Sequence, residues 1–201
     1  RDEDLHSFQD DYSLRYLDVN NSQYFFHFNS LLETTCYGVL SLDLLGAADF
    51  IDYQGTIEFI WSCFSPEEDG FIGQPYTPNL KPDLKNVTMD NTFYALMTLD
   101  LLMDDWRGYS TEISRMVFWI NSLQQSSGGF FNDQSIYFDS LDIADLNLLS
   151  AYYSIKSLEM LGYVGTIRIS DFHSYLSQLY SDVDDTWRIE ANFLQINVLG
   201  S

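Results

Sequence analysis

Apolar positions along this chain follow two helical patterns that alternate. In stretches 33–46, 90–103 and 144–162 they occupy nearly every face of a helix, as at Leu96, Leu99, Leu101 and Leu102. Such helices are expected to be buried on both sides. In stretches 50–63, 112–124 and 169–180 they keep to one face, as with Ile57, Ile60 and Trp61, or Ile113, Met116, Val117, Ile120 and Leu123; these read as amphipathic outer helices. Gly46 and Gly162 stand just after the last apolar residue, where a left-handed residue ends a helix. Ser110 or Thr111 before Glu112, and Ser170 before Asp171, are expected N-terminal caps. Residues 72–89, with Pro75, Pro78 and Pro82, read as loop, and residues 131–143 as a shorter connection.

The buried pattern repeats in register. Residues 36–45, 93–102 and 152–161 align without gaps, so that Tyr37, Tyr94 and Tyr153 correspond, as do Leu42, Leu99 and Leu158. A turn closes each unit: Asp69-Gly70-Phe71 matches Gly128-Gly129-Phe130, and the next step falls on Trp187 in Asp184-Asp185-Thr186-Trp187. Glycine there supplies a positive φ that reverses the chain, and the aromatic is expected to wedge between helices. A period just under 60 residues, built of a buried helix, an amphipathic helix and a Gly-aromatic turn, predicts an all-α fold. The expected architecture is an α/α toroid-like array, a partial α/α barrel of about three helical hairpins. We read residues 1–201 as one domain with repeats at about 33–89, 90–143 and 144–187, and residues 1–32 and 188–201 as degenerate terminal segments.

Composition narrows the partners. The 201 residues are 46% hydrophobic and 16% aromatic, enough for a substantial core, and no apolar run is long enough for a membrane span. Nine Lys plus Arg against 30 Asp plus Glu give a net charge of −21. That field repels nucleic acid and anionic membranes, and leaves a solvated acidic face or a basic partner protein as readings. Cys36 and Cys63 fall at about the same height of the first hairpin, as buried thiols or as a disulfide. Asn20-Asn21-Ser22 and Asn86-Val87-Thr88 match the glycosylation sequon. A three-hairpin arc leaves two apolar edges, so a second copy or a partner protein is expected to close the ring.

The motifs resemble a known family. Gln124-Gln125-Ser126-Ser127-Gly128-Gly129-Phe130 and the helix that follows it are similar to the repeat of the prenyltransferase/squalene-cyclase family. So is Asp69-Gly70-Phe71-Ile72-Gly73-Gln74-Pro75 followed by Asp90-Asn91-Thr92-Phe93-Tyr94. The likeness covers about residues 33–187 and includes protein prenyltransferase β subunits and class II terpenoid cyclases. It implies a toroid and, for an enzyme, prenyl transfer or terpene cyclisation.

The chemistry of those enzymes maps poorly onto these residues. The family's zinc ligands are an Asp, a Cys two residues later and a His on a later inner helix. Here Asp90 is followed by Thr92, not Cys, and none of His6, His27 and His173 opens an inner helix. Threonine is not a serviceable zinc ligand, so no metal or other cofactor is expected, and Asp90 reads as a helix N-cap. Lys81, Lys85, Arg107 and Arg115 form no cluster for a diphosphate and read as solvated charges. Asp182-Val183-Asp184-Asp185 matches the cyclase acid motif, with Asp184 as general acid, but occupies the turn rather than the start of an inner helix. Asp184 and Asp90 are thus the acid candidates. The inner-helix aromatics Tyr37, Phe93, Tyr94, Tyr152 and Tyr153 either fill the core or line a pocket for an isoprenoid or another hydrophobic molecule. The competing reading is a non-catalytic interaction module that uses the acidic face or the arc edges.

Overall fold

The computed structural model describes residues 31–134, 148–182 and 186–187. Among them are six α-helices: α1 Leu31–Leu44, α2 Tyr53–Ser62, α3 Met89–Leu102, α4 Ser110–Ser122, α5 Leu148–Met160 and α6 Ile169–Leu179. Four two-residue strands accompany them: β1 Phe64–Ser65, β2 Gly70–Phe71, β3 Tyr180–Ser181 and β4 Thr186–Trp187. The fold is all-α, and the chain divides into two compact units, residues 1–112 and 113–201.

In the first unit α1 lies along α3, and α2 also packs on α3. With neighbours on two sides, α3 buries residues all round: Met89, Thr92, Phe93, Ala95, Leu96, Thr98, Leu99 and Leu102. Val39, Ile51 and Leu102 form one core cluster, joined by Leu42, Ala48 and Ile57. Each such side chain, fully buried, contributes roughly 1.5–3 kcal/mol. Burial on both sides, expected of all three inner helices, holds for α3 alone. Tyr37 and Leu44 on α1 are exposed, as are Leu149 and Tyr152 on α5. Asp52 caps α2, its carboxylate accepting from the Gly55 N–H at 3.2 Å. Gly46 ends the first hairpin's inner helix at φ +65°, donating to Asp43 O, while Ala47 donates to Leu42 O. That pair of bonds satisfies carbonyls the helix end would leave open.

The second unit repeats this ending at Gly162, φ +81°, with Gly162 donating to Glu159 O and Tyr163 to Leu158 O. α4 is amphipathic as expected, burying Ile113, Met116, Val117 and Ile120. The expected caps are not used. Ser110 and Thr111 lie within α4, and Ser170 lies within α6, whose N-cap is Arg168. The Arg168 N–H is instead satisfied by the Gln124 side chain at 2.8 Å, which removes the need for a local hydroxyl.

An antiparallel pairing closes each hairpin: Phe64 with Phe71, Gln124 with Phe130, and Tyr180 with Trp187. Phe71 and Phe130 are fully buried wedges. Phe71 sits against Trp61 and Phe64, and Phe130 against Phe172 of α6. Trp187 departs from the expectation and is 54% exposed, its ring resting against Tyr180 alone among the described aromatics. The source of the positive φ also differs between turns. Gly128 provides it in the second, at +97°, but in the first it falls on Asp69, at +66°, rather than on Gly70. Aspartate tolerates this region better than most residues because its short polar side chain bonds locally.

Candidate functional site

The first unit brings three of the predicted aromatics together. Tyr37 on α1 meets Tyr94 on α3 edge to face, with ring centroids 4.9 Å apart. Phe93 stands 5.2 Å from Tyr94, also edge to face. Phe93 is buried and anchors the group, Tyr94 is half-buried, and Tyr37 is 39% exposed. The Tyr37 hydroxyl donates to Glu33 one turn earlier, at 2.5 Å. Burial, with the Glu33 carboxylate and Tyr94 beside it, pushes the Tyr37 phenol above its ordinary range. The group is an aromatic platform on two inner helices with one open side. In the second unit Tyr152 and Tyr153 form a tilted pair at 6.0 Å, Tyr152 exposed and Tyr153 half-buried.

The acid and metal candidates resolve differently. Thr88 is the N-cap of α3, so Asp90 is a first-turn residue and not the cap expected of it. Its carboxylate accepts from the Asn91 N–H at 2.8 Å, and Asn91 in turn donates to Thr88 Oγ1. A carboxylate there complements the helix dipole. Thr92, at the column where the family would place cysteine, is fully buried, and its hydroxyl accepts from the Phe71 N–H at 3.1 Å. It therefore ties the first closing turn to α3. Among the described residues no three His, Cys, Asp or Glu side chains group as metal ligands. His173 is exposed on α6, while His6, His27 and Asp184 lie outside the described residues. Lys85 pairs with Glu67 at 3.5 Å and stands over the Tyr76 ring, and Lys81 is exposed.

Cys36 and Cys63 are both buried free thiols. Burial pushes Cys36 up to about 12, against a smaller opposing effect of the Thr98 hydroxyl. Burial raises Cys63 as well, with Cys36 close enough to add to the effect. Neutral, desolvated thiols of this kind are poor nucleophiles.

The second unit centres on Gln124. Its amide donates to Gly128 O and Arg168 O, and its oxygen accepts from Arg168 N–H. The Arg168 guanidinium reaches back to Gln124 O and Gln125 O and pairs with Asp171. Gln124 thus bonds backbone groups on both sides of the turn. Thr92, Glu33 and Arg168 were not singled out as contributors. For Thr92 the signal was available, since a threonine on a helix expected to be buried on both sides needs a buried partner.

A protein geranylgeranyltransferase-I from Candida albicans, complexed with GGPP, has a similar fold: TM-score 0.60 at 15% identity over 79% of this chain. The match covers 43% of that chain, so this chain spans less than half the length of the structure it resembles. No curated protein matches the sequence. The model of the prenyltransferase alpha-alpha toroid domain matches residues 6–182, through the Gly-aromatic turns and the helices they join, and the chain belongs to that family.

Proposed function

We propose that this chain uses the prenyltransferase-like toroid fold to bind an isoprenoid or another hydrophobic molecule, without the family's zinc-dependent transfer to a thiol. The observation that carries this reading is the Tyr37–Tyr94–Phe93 platform, apolar, preformed and open along Tyr37. Aromatic faces of this kind hold a prenyl chain through dispersion and area burial, which need neither metal nor charge. The Candida albicans relative is complexed with GGPP, which supports an isoprenoid as the ligand class.

The donor set does not fit zinc. Thr92 cannot supply a thiolate, and its oxygen already accepts a buried backbone hydrogen bond. A diphosphate is disfavoured by the charge of −21 and by the pairing of Lys85 with Glu67. Native mass spectrometry of gently purified protein tests the reading. It should reveal a bound apolar small molecule that Tyr37→Ala loses; protein bare in every preparation would count against it.

A second reading, a scaffold completed by a partner protein or a second copy, rests on exposed Leu44, Leu45 and Phe50 at the tip of the first hairpin. The solution mass separates the two, since a clean monomer removes ring closure by a second copy.

A further inference from the structure

The second unit carries a separate cleft of about 560 Å³, lined by His173, Leu176, Ser177, Tyr180, Asp182 and Trp187. Its walls come from the end of α6 and from the short β3–β4 pair, which holds Tyr180 directly across from Trp187. Those two rings lie 5.2 Å apart at 55°, so together they present a corner of aromatic faces. Both are exposed, Trp187 at 54% and Tyr180 at 36%. Asp182 is also exposed, beside them. The Ser177 hydroxyl donates to His173 O at 2.9 Å, which leaves its lone pairs as acceptors. Leu176 supplies an apolar wall.

Among the described residues that line the cleft, none is lysine or arginine. Arg168, in the same unit, is engaged with Gln124, Gln125 and Asp171. The described lining thus offers acceptors, π faces and the Asp182 carboxylate, in a chain of net charge −21. An anion is repelled by this set, and a neutral hydrocarbon would make no use of the Asp182 carboxylate or the Ser177 acceptors. A guanidinium satisfies every part of it. The cation lies against the electron-rich rings, its planar fork donates to Asp182 and Ser177, and its methylene stem covers Leu176. Lysine, a compact and strongly hydrated charge, matches the carboxylate but not the plane.

From this geometry we infer that the cleft is a docking site for an arginine side chain presented by a basic segment of a partner protein. The site is independent of the aromatic platform in the first unit and stands whether or not that platform binds a prenyl chain. The test is a calorimetric titration of the full chain with an acetylated, amidated tetra-arginine peptide, beside the same peptides in lysine and in citrulline. The expected result is saturable one-to-one binding in the order arginine, lysine, citrulline. Trp187→Leu and Asp182→Asn should each weaken the arginine peptide about tenfold. Both positions are exposed, so circular dichroism should report an unchanged fold. Glu58→Gln, an exposed acid on α2, should leave the affinity as it is. Equal weakening by Glu58→Gln, or wild-type affinity in both cleft variants, would show only diffuse attraction to an acidic surface and overturn the assignment. Failure to saturate would do the same.

Discussion

Gly128→Ala probes the turn that organises the second unit. Gly128 has φ +97°, and a methyl group built on it would stand 2.0 Å from Asp171 O, 2.3 Å from Asp171 C and 2.8 Å from Phe172 N. Those atoms are backbone, in the first turn of α6, and cannot swing away as a side chain would. Favourable contact begins near 3.5 Å, so that turn would have to retreat by more than about 1 Å. Left-handed strain costs about 1–2 kcal/mol for a residue with a Cβ, and overpacking typically adds about 1–3 kcal/mol. Retreat also loosens the Gln124–Arg168 bonds, at about 1 kcal/mol each. The total comes to roughly 4–7 kcal/mol. Gly162→Ala is the matched control in the same unit: φ is +81°, and nothing lies within 4 Å of the added methyl. It should cost only the strain, about 1–2 kcal/mol. Urea unfolding followed by circular dichroism measures both, with the m-value checked for constancy. If the two variants lie within about 0.5 kcal/mol of each other, Gly128 does not abut α6 as described.

Three other outcomes follow from the buried polar groups. Thr92→Val should destabilise by about 1–3 kcal/mol in the same urea assay, because the Phe71 N–H loses its acceptor, while Thr92→Ser, which keeps the hydroxyl, should cost less. Gln124→Ala removes three hydrogen bonds to Gly128 and Arg168 and should cost about 2–4 kcal/mol; a neutral result would mean that water replaces them. Cys36 is raised from its ordinary value of 9.0 to about 12, and Cys63 is raised too, so folding favours the protonated thiols. Their contribution is complete below about pH 9 and is lost as pH rises toward 12, at about 1.4 kcal/mol per pH unit for each thiol. Cys36→Ala should flatten that alkaline slope, and a thiol reagent at pH 8 should modify both cysteines only after unfolding.

Much of the helical frame was legible because it depends on local pattern. The step from all-round to one-sided apolar faces placed α1 to α6, and Gly46 and Gly162 marked two helix ends by a conformation that glycine adopts readily. Features set by contacts distant in sequence were not legible. Whether an inner helix is buried on both sides depends on its neighbours, which is why α3 is enclosed while Tyr37 and Tyr152 are exposed. The cap of α6 was misplaced because Gln124, 44 residues before Arg168 in the chain, satisfies the start of α6 in place of a local hydroxyl. Trp187 kept its column in the period but not its burial. At the candidate site the residue types were informative and the roles were not. Thr92 could be read as a missing cysteine, but only the structure gives it the Phe71 N–H as a partner. The aromatic column could be read as core or pocket, and the open side at Tyr37 favours a pocket.

The central claim, a hydrophobic site that works without diphosphate or zinc, is tested most directly by calorimetric titration of the full chain with geranylgeraniol and with GGPP, each in the presence of a metal chelator. The predicted result is saturable binding of the alcohol at least as tight as that of the diphosphate, and about 3- to 10-fold weaker in Tyr37→Ala. No binding of the alcohol, or binding of GGPP that is far tighter and vanishes with the chelator, would contradict it.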